Sequence, residues 1–190
     1  MDPFLRMSEW YAEAEEAGQP QPEAMALATA TATGEPSVRM VLLKGWDVRG
    51  FVFFTNRESR KGMELAANPR AALTLHWSAL GRQVRAAGSI ARVSRPESVA
   101  YWITRPRESQ AAAWASAQSR VIGSREELET RYRAILERFS ERPLPLPHFW
   151  GGYRLRPDWV EFWEHRPNRL HERLLLTRRR GGWRSEILQP

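Results

Sequence analysis

Arg39-Met40-Val41-Leu42-Leu43-Lys44, followed after six residues by Phe51-Val52-Phe53-Phe54-Thr55-Asn56-Arg57-Glu58-Ser59-Arg60-Lys61, is the stretch that decides the fold. Val38 to Leu43 reads as one strand and Phe51 to Thr55 as a second. Gly45 to Gly50 supplies the loop, so the pair forms a β-hairpin. Ser59 to Ala67 then reads as a short helix, stopped by Asn68-Pro69.

Outward from this hairpin the same signals repeat. Toward the N-terminus, Ala24 to Thr31 is apolar and ends in the turn Thr33-Gly34-Glu35-Pro36. Before it, Pro3 to Ala17 reads as a helix with Leu5, Trp10 and Ala14 on its apolar face, stopped by Gly18 and Pro20. Toward the C-terminus, Ala71 to Trp77 and Arg82 to Val93 read as strands, with Gly88 marking a bulge or bend. Ser94-Arg95-Pro96-Glu97 is a capping box that opens a helix to about Thr104. Ser109 to Ala117 forms a second helix, and the capping box Ser124-Arg125-Glu126-Glu127 opens a third, to about Phe139. Pro143, Pro145 and Pro147 make an extended linker. Strands follow at Gly152 to Leu155, Trp159 to Trp163, Leu170 to Thr177 and Trp183 to Leu188, the last two joined by Gly181-Gly182.

Strands, then helices, then strands indicate an α+β domain, mainly β and antiparallel, with enough strands to close a barrel. The 190 residues suit one domain, and 42% hydrophobic content supports a buried core. No apolar run approaches the ~20 residues of a membrane span, and Met1-Asp2-Pro3 lacks the order of a signal peptide. A cytoplasmic protein is expected. The absence of cysteine excludes disulfides, thiolate nucleophiles and cysteine metal sites. The four histidines lack metal-ligand spacing, so no metal is expected. There is no GxGxxG or GxxxxGK[ST] loop.

The net charge of +7 comes from 29 basic residues, of which only Lys44 and Lys61 are lysine. Arg178-Arg179-Arg180 reads as a solvated hairpin tip in preference to a nucleic-acid patch. Where arginine is otherwise general, two isolated lysines mark places that require a compact point charge.

Four constellations carry candidate chemistry. On the first strand, Arg39, Val41 and Leu43 face one way and Met40, Leu42 and Lys44 the other. Taken alone, snorkelling side chains at strand ends are the preferred reading there. Arg60 and Lys61 open a helix, where cations oppose the macrodipole. That cost favours a bound anion shared by amides, hydroxyl and cations over an ordinary capped helix. Tyr101 and Arg105 share a helix face and Ser109 begins the next helix, a plausible second phosphate pocket, although taken alone a plain helix junction with solvated arginines is the preferred reading. Arg169, His171 and Arg173 alternate along one strand and are costly unless they meet a ligand or water.

Together the stretches RMVLLKG, GFVFFTNRESRKGMEL, RQVRAAG, YWITRPRESQAAAWASAQS, FWGGYRLRP, EFW and RPNRLHER, in this order, resemble the pyridoxamine (pyridoxine) 5′-phosphate oxidase family over nearly the whole chain. The resemblance implies a split β-barrel with peripheral helices, one domain over 1–190, and a C-terminal dimerisation and active-site segment at about 148–190. It implies a homodimer with FMN at the subunit interface. FMN contacts fall on Arg39, Met40, Val41, Leu42, Lys44, Phe54, Thr55, Arg60, Lys61, Gln83, Gln118, Ser119, Trp163 and Arg173. Substrate contacts fall on Lys44, Tyr101, Arg105, Ser109, Arg169 and His171, with Arg169 and His171 as the catalytic pair beside the pyridine ring. The implied reaction oxidises pyridoxamine or pyridoxine 5′-phosphate to pyridoxal 5′-phosphate, with O2 as acceptor and H2O2 released.

Several positions depart from the family pattern. The chain begins at the segment after the family's N-terminal arm, which implies a lid that is missing or supplied otherwise. Glu172 stands where Asp is usual, Leu176 where an aromatic residue is common, and Gly81 where an acidic residue is frequent. These departures keep open a related flavin oxidase acting on another aromatic metabolite, of the phenazine-precursor type. A non-catalytic flavin-binding or nucleic-acid-binding module is the third reading, resting on the +7 charge.

Overall fold

The computed structural model describes residues 1–190. Helix α1 spans Pro3–Glu16, followed by strands β1 (Ala24–Ala30), β2 (Pro36–Asp47) and β3 (Gly50–Asn56), then α2 (Arg60–Ala67), β4 (Arg70–Trp77) and β5 (Arg82–Arg92). Three helices come next: α3 (Arg95–Thr104), α4 (Arg107–Ala115) and α5 (Arg125–Arg138). Strands β6 (Trp150–Glu164), β7 (Glu172–Arg179) and β8 (Gly182–Ile187) complete the chain.

All eight strands form one antiparallel sheet in the order β3-β2-β1-β4-β5-β6-β7-β8. An additional pairing of β3 with β6 closes the first six into a barrel, which removes their free edges. The alternation of β1 and β4 points Met25, Leu27, Leu73 and Leu75 inward, where they meet Phe51, Phe53, Leu155 and Phe162. Each such side chain contributes about 1.5–3 kcal/mol on burial. Helix α1 lies on the barrel through Phe4, Met7, Trp10 and Ala14, with Trp10 edge-on to Phe162 at 5.1 Å. Leu5, expected on that face, is exposed, because the stripe runs through Phe4 and Met7 instead.

Four sequence readings are corrected by strand register. The Gly45–Gly50 loop is mostly strand: Asp47 pairs with Gly50, leaving Val48-Arg49 as the turn, and the register shifts between Leu43 and Gly45 so that Lys44 is the extra residue of a bulge. The two strands expected around Pro157 are one strand of 15 residues. Pro157 is tolerated because the β5–β6 register also shifts, between Ala87 and Gly88, and a Cβ at Gly88 would lie 2.0 Å from the Arg156 carbonyl oxygen. The last hairpin turns on Arg180-Gly181, since Gly182 already pairs with Arg179.

The fourth correction bears on chemistry. Arg169, His171 and Arg173 do not alternate along a strand. β7 begins at Glu172, and Arg169 ends a 3₁₀ turn in which Asn168 (φ 58°) and Arg169 (φ 62°) both take left-handed backbone. The helix expected from Ser109 starts at Arg107, which puts Ser109 in its first turn. Both Ser94 and Ser124 cap as expected. Glu97 completes the first box by accepting from Ser94 N–H, whereas Glu127 accepts from Gly123 instead.

Candidate active site

The β2–β3 hairpin, the start of α2 and the α3–α4 junction enclose a cavity of about 440 Å³, within the range of small-molecule sites. It gathers Met40, Val41, Leu42, Lys44, Phe54, Thr55, Lys61, Tyr101, Arg105, Ser109 and Gln118, all expected from the sequence. It also includes Asn56, Ala112, Ala113, Ser116 and Trp150, which were not.

Lys61 is 7% exposed. Its ammonium donates to Gln118 Oε1 at 2.8 Å, Thr55 Oγ1 at 3.3 Å and Ser59 Oγ at 3.4 Å. All three acceptors are neutral. Burial first, then the charge of Arg39, pull the ammonium pKa down to about 8, against a smaller upward pull from Glu64. A buried cation held only by neutral oxygens is a seat for an anion.

A second cation faces the same cavity. Arg105 stacks over Trp150 at 4.8 Å and Trp102 at 5.2 Å, and donates from Nη2 to the Ser109 carbonyl at 3.0 Å. Its Nη1 is buried without an acceptor, and burial lowers its pKa from the ordinary arginine value. Tyr101, raised by burial, stacks on Phe54 at 4.1 Å, and Phe54 stacks on Trp150 at 5.5 Å. This aromatic wall holds the phenol and the guanidinium. Lys44 lies at the bulge, 3.7 Å from Glu23. The donor set therefore fits two phosphate groups, one at Lys61 and one at Arg105, with a flat apolar face between them.

The other expected residues lie elsewhere. Arg39 donates to the Leu27 carbonyl, Thr29, Ser37 and Glu64, and Arg60 donates to Glu64 at 2.8 Å, so both bracket that carboxylate behind Lys61 instead of lining the cavity. Burial raises the Glu64 pKa, but hydrogen bonds from Ser37, Thr29, Arg60 and Arg39 outweigh it and hold the value at about 2. Ser119 is exposed beside Gln118, outside the lining.

Gln83, Trp163, Arg169, His171 and Arg173 belong to a second cluster at the far end of β6. Gln83 and Arg173 flank Trp163 in register. His171 packs on Trp163 at 4.6 Å and on His165 at 5.2 Å. The Arg166 backbone N–H donates to His171 Nδ1 at 3.2 Å, which leaves Nε2 to carry the ring proton when the imidazole is neutral. Arg173 donates to buried Glu161 at 2.8 Å. Thr55 pairs with Gly151, twelve residues from Trp163 along β6. Around the barrel the separation is smaller: Gln83 lies three strands from cavity-lining Leu42, through β4 and β1, roughly 14 Å at ~4.8 Å per strand.

Residues 12–139 match the family model described as pyridoxamine 5′-phosphate oxidase, and residues 150–190 match the pyridoxine 5′-phosphate oxidase C-terminal dimerisation region. The chain belongs to the pyridoxamine 5′-phosphate oxidase family. It is 56% identical over 189 residues to a pyridoxine/pyridoxamine 5′-phosphate oxidase of Rubrobacter xylanophilus, covering 100% of this chain and 87% of the relative. A protein of that name from Cupriavidus taiwanensis is 53% identical, with 100% and 89% covered. Among solved structures, PhzG from Burkholderia lata 383, in complex with tetrahydrophenazine-1-carboxylic acid, superimposes with a TM-score of 0.95 at 35% identity, covering 100% of this chain and 93% of that one. A pyridoxamine 5′-phosphate oxidase-related, FMN-binding protein from Nostoc punctiforme gives 0.80 at 18% identity, with 100% and 98% covered, and so shares the split-barrel fold. This is an oxidoreductase family, and no helix of the chain is long and apolar enough to cross a membrane.

Proposed function

We propose that this family member is an FMN-dependent oxidase, converting pyridoxamine 5′-phosphate or pyridoxine 5′-phosphate to pyridoxal 5′-phosphate in the cytoplasm. The observation that carries it is one cavity with two unneutralised cations, Lys61 and Arg105, about an aromatic wall. Lys61, with Thr55, Ser59 and Gln118, is assigned to the flavin phosphate. Arg105, with Lys44, Tyr101 and Ser109, is assigned to the substrate phosphate. When bound, FMN supplies the two-electron acceptor, with O2 as terminal acceptor and hydrogen peroxide as by-product.

The protein's part is orientation. Charge-assisted hydrogen bonds to the phosphate fix the distant carbon that is oxidised. Arg169 and His171 are assigned to the pyridine ring, with His171 presenting Nε2 because its Nδ1 accepts from the Arg166 backbone N–H. Within one chain Gln83, Trp163, Arg169, His171 and Arg173 are not among the residues that line the Lys61 cavity. The active unit in this reading is a homodimer in which residues 148–190 of one copy complete the cavity of the other. That segment matches the family's dimerisation region. Val38, Met40 and Leu42, exposed along β2, are the apolar strip available for such a contact.

Purified protein should be yellow and should form pyridoxal 5′-phosphate with oxygen uptake. Protein that binds FMN yet oxidises neither vitamer would sink the substrate assignment. Lys44→Ala should raise KM with little change in kcat, because phosphate anchoring is shared by ground and transition states. The second reading, oxidation of a phenazine precursor, rests on the 0.95 superposition with the PhzG complex. The Arg105 subsite favours a phosphorylated substrate, and turnover of a dihydrophenazine carboxylate in preference to both vitamers would reverse that choice.

A further inference from the structure

A basic cluster at the start of β6, outside the cavity lining, is not used by this chemistry. Strand alternation sets Gly152 against Phe54, in the aromatic wall of the cavity, and Gly151 against Arg57 on the other side. Arg57 lies between β3 and α2, and its backbone N–H donates to the Phe149 carbonyl at 2.6 Å. Its guanidinium lies directly on Gly151, where a Cβ would come within 2.1 Å of Nη2. A Cβ at Gly62 would lie 2.1 Å from the Arg57 carbonyl oxygen. Two glycines thus open a seat for one arginine.

That seat lacks a counter-charge. Arg57 Nε is buried without an acceptor, as is the hydroxyl of neighbouring Tyr153. Arg92 pairs in register with Tyr153, two residues from Gly151, and Arg95 opens α3 just beyond. Burial and then the charge of Arg92 depress the Arg57 pKa; Tyr153 opposes them and Arg95 adds to them. None of Arg57, Arg92 and Arg95 has a carboxylate within ion-pair distance, and Glu97 is taken by Arg154 at 2.9 Å. A half-buried guanidinium with two further cations nearby and no acid is unfavourable unless an anion joins it.

We infer that Arg57, Arg92 and Arg95 form a second phosphate site, separate from the cavity, for a small phosphate dianion, either free or as a monoester. Arg57 supplies the fixed, half-buried donor. Arg92 and Arg95 are exposed and close on the anion from the rim.

The test uses the full-length Lys61→Met/Arg105→Gln chain, in which both cavity phosphate subsites are removed. Orthophosphate and phenyl phosphate are titrated calorimetrically at low ionic strength. One site per chain should remain, and the ratio of the two affinities tells free phosphate from a monoester. Adding Arg57→Gln should weaken binding by about tenfold or more, as loss of a charge-assisted donor requires. Arg92→Gln/Arg95→Gln should do the same, and because both side chains are exposed it controls for misfolding of the Arg57 variant. Loss of all phosphate binding in the cavity-deficient background, or unchanged binding in both further variants, overturns the inference.

Discussion

Replacing Lys61 by methionine should stabilise the flavin-free protein while destroying flavin binding. The ammonium is almost fully buried and its three acceptors are neutral. The fall from 10.5 to about 8 corresponds to a burial cost of about 3 kcal/mol at neutral pH. Removing the ammonium also forfeits its hydrogen bonds, worth about 1 kcal/mol net with exposed Gln118 free to bind water. The remaining gain of about 1–2 kcal/mol should raise Tm by about 3–7 °C in a chain of this size. The sign of the pH dependence follows from the folded value lying below the unfolded one. Between about 8 and 10.5 the unfolded chain binds more protons, so wild-type stability rises with pH across that window. Below pH 8 the full cost is present. The Lys61→Met advantage should therefore be largest at pH 7 and shrink toward pH 10.5. Thermal unfolding of flavin-free protein at several pH values, with flavin titration beside it, measures all of this. A variant less stable than wild type at pH 7, or a gap that does not narrow with pH, would refute the account of Lys61 as an unneutralised cation.

Glu64→Gln should destabilise the protein by about 3 kcal/mol or more in urea unfolding at pH 7, because Arg39 and Arg60 lose a buried counter-ion. The folded Glu64 value is depressed to about 2 from an ordinary 4.5, so its contribution is present above 4.5 and fades as pH falls through 2; the gap between wild type and variant should narrow over that range. Subunit mixing tests the shared site: Lys61→Met and His171→Ala homodimers should both be inactive. Random 1:1 reassembly should restore about a quarter of wild-type activity, since each mixed dimer keeps one intact site. Arg105→Gln should raise KM for a phosphorylated substrate while leaving flavin affinity unchanged, read by oxygen uptake and flavin fluorescence.

Element types and most boundaries were legible because their causes are local. The Ser94 capping box, the Asn68-Pro69 stop and the alternation of Arg39, Val41 and Leu43 each depend on residues a few positions apart. Lys61 was flagged by its rarity and by the helix start that it opposes. Arg105 and Ser109 were placed by motif order, since locally a plain helix junction is the preferred reading. Trp150 was missed as a cavity residue, although it stands in the quoted Phe149-Trp150-Gly151-Gly152-Tyr153 run, because its stacking on Phe54 links residues nearly a hundred positions apart.

Other features could be settled only by tertiary structure. Pro157 reads as a strand breaker, and only the register shift opposite Gly88 lets β6 run through it. The pairing of β3 with β6 closes the barrel between segments about a hundred positions apart, and no local pattern specifies such a partner. Tertiary structure also divides the expected site into two clusters, since Trp163 and His171 pack together outside the cavity that Lys61 lines. Composition and spacing determine which side chains carry charge and which elements bear them. Whether a cation meets a carboxylate, as Arg39 meets Glu64, or remains unneutralised, as Lys61 and Arg57 do, depends on which distant segments pack beside it.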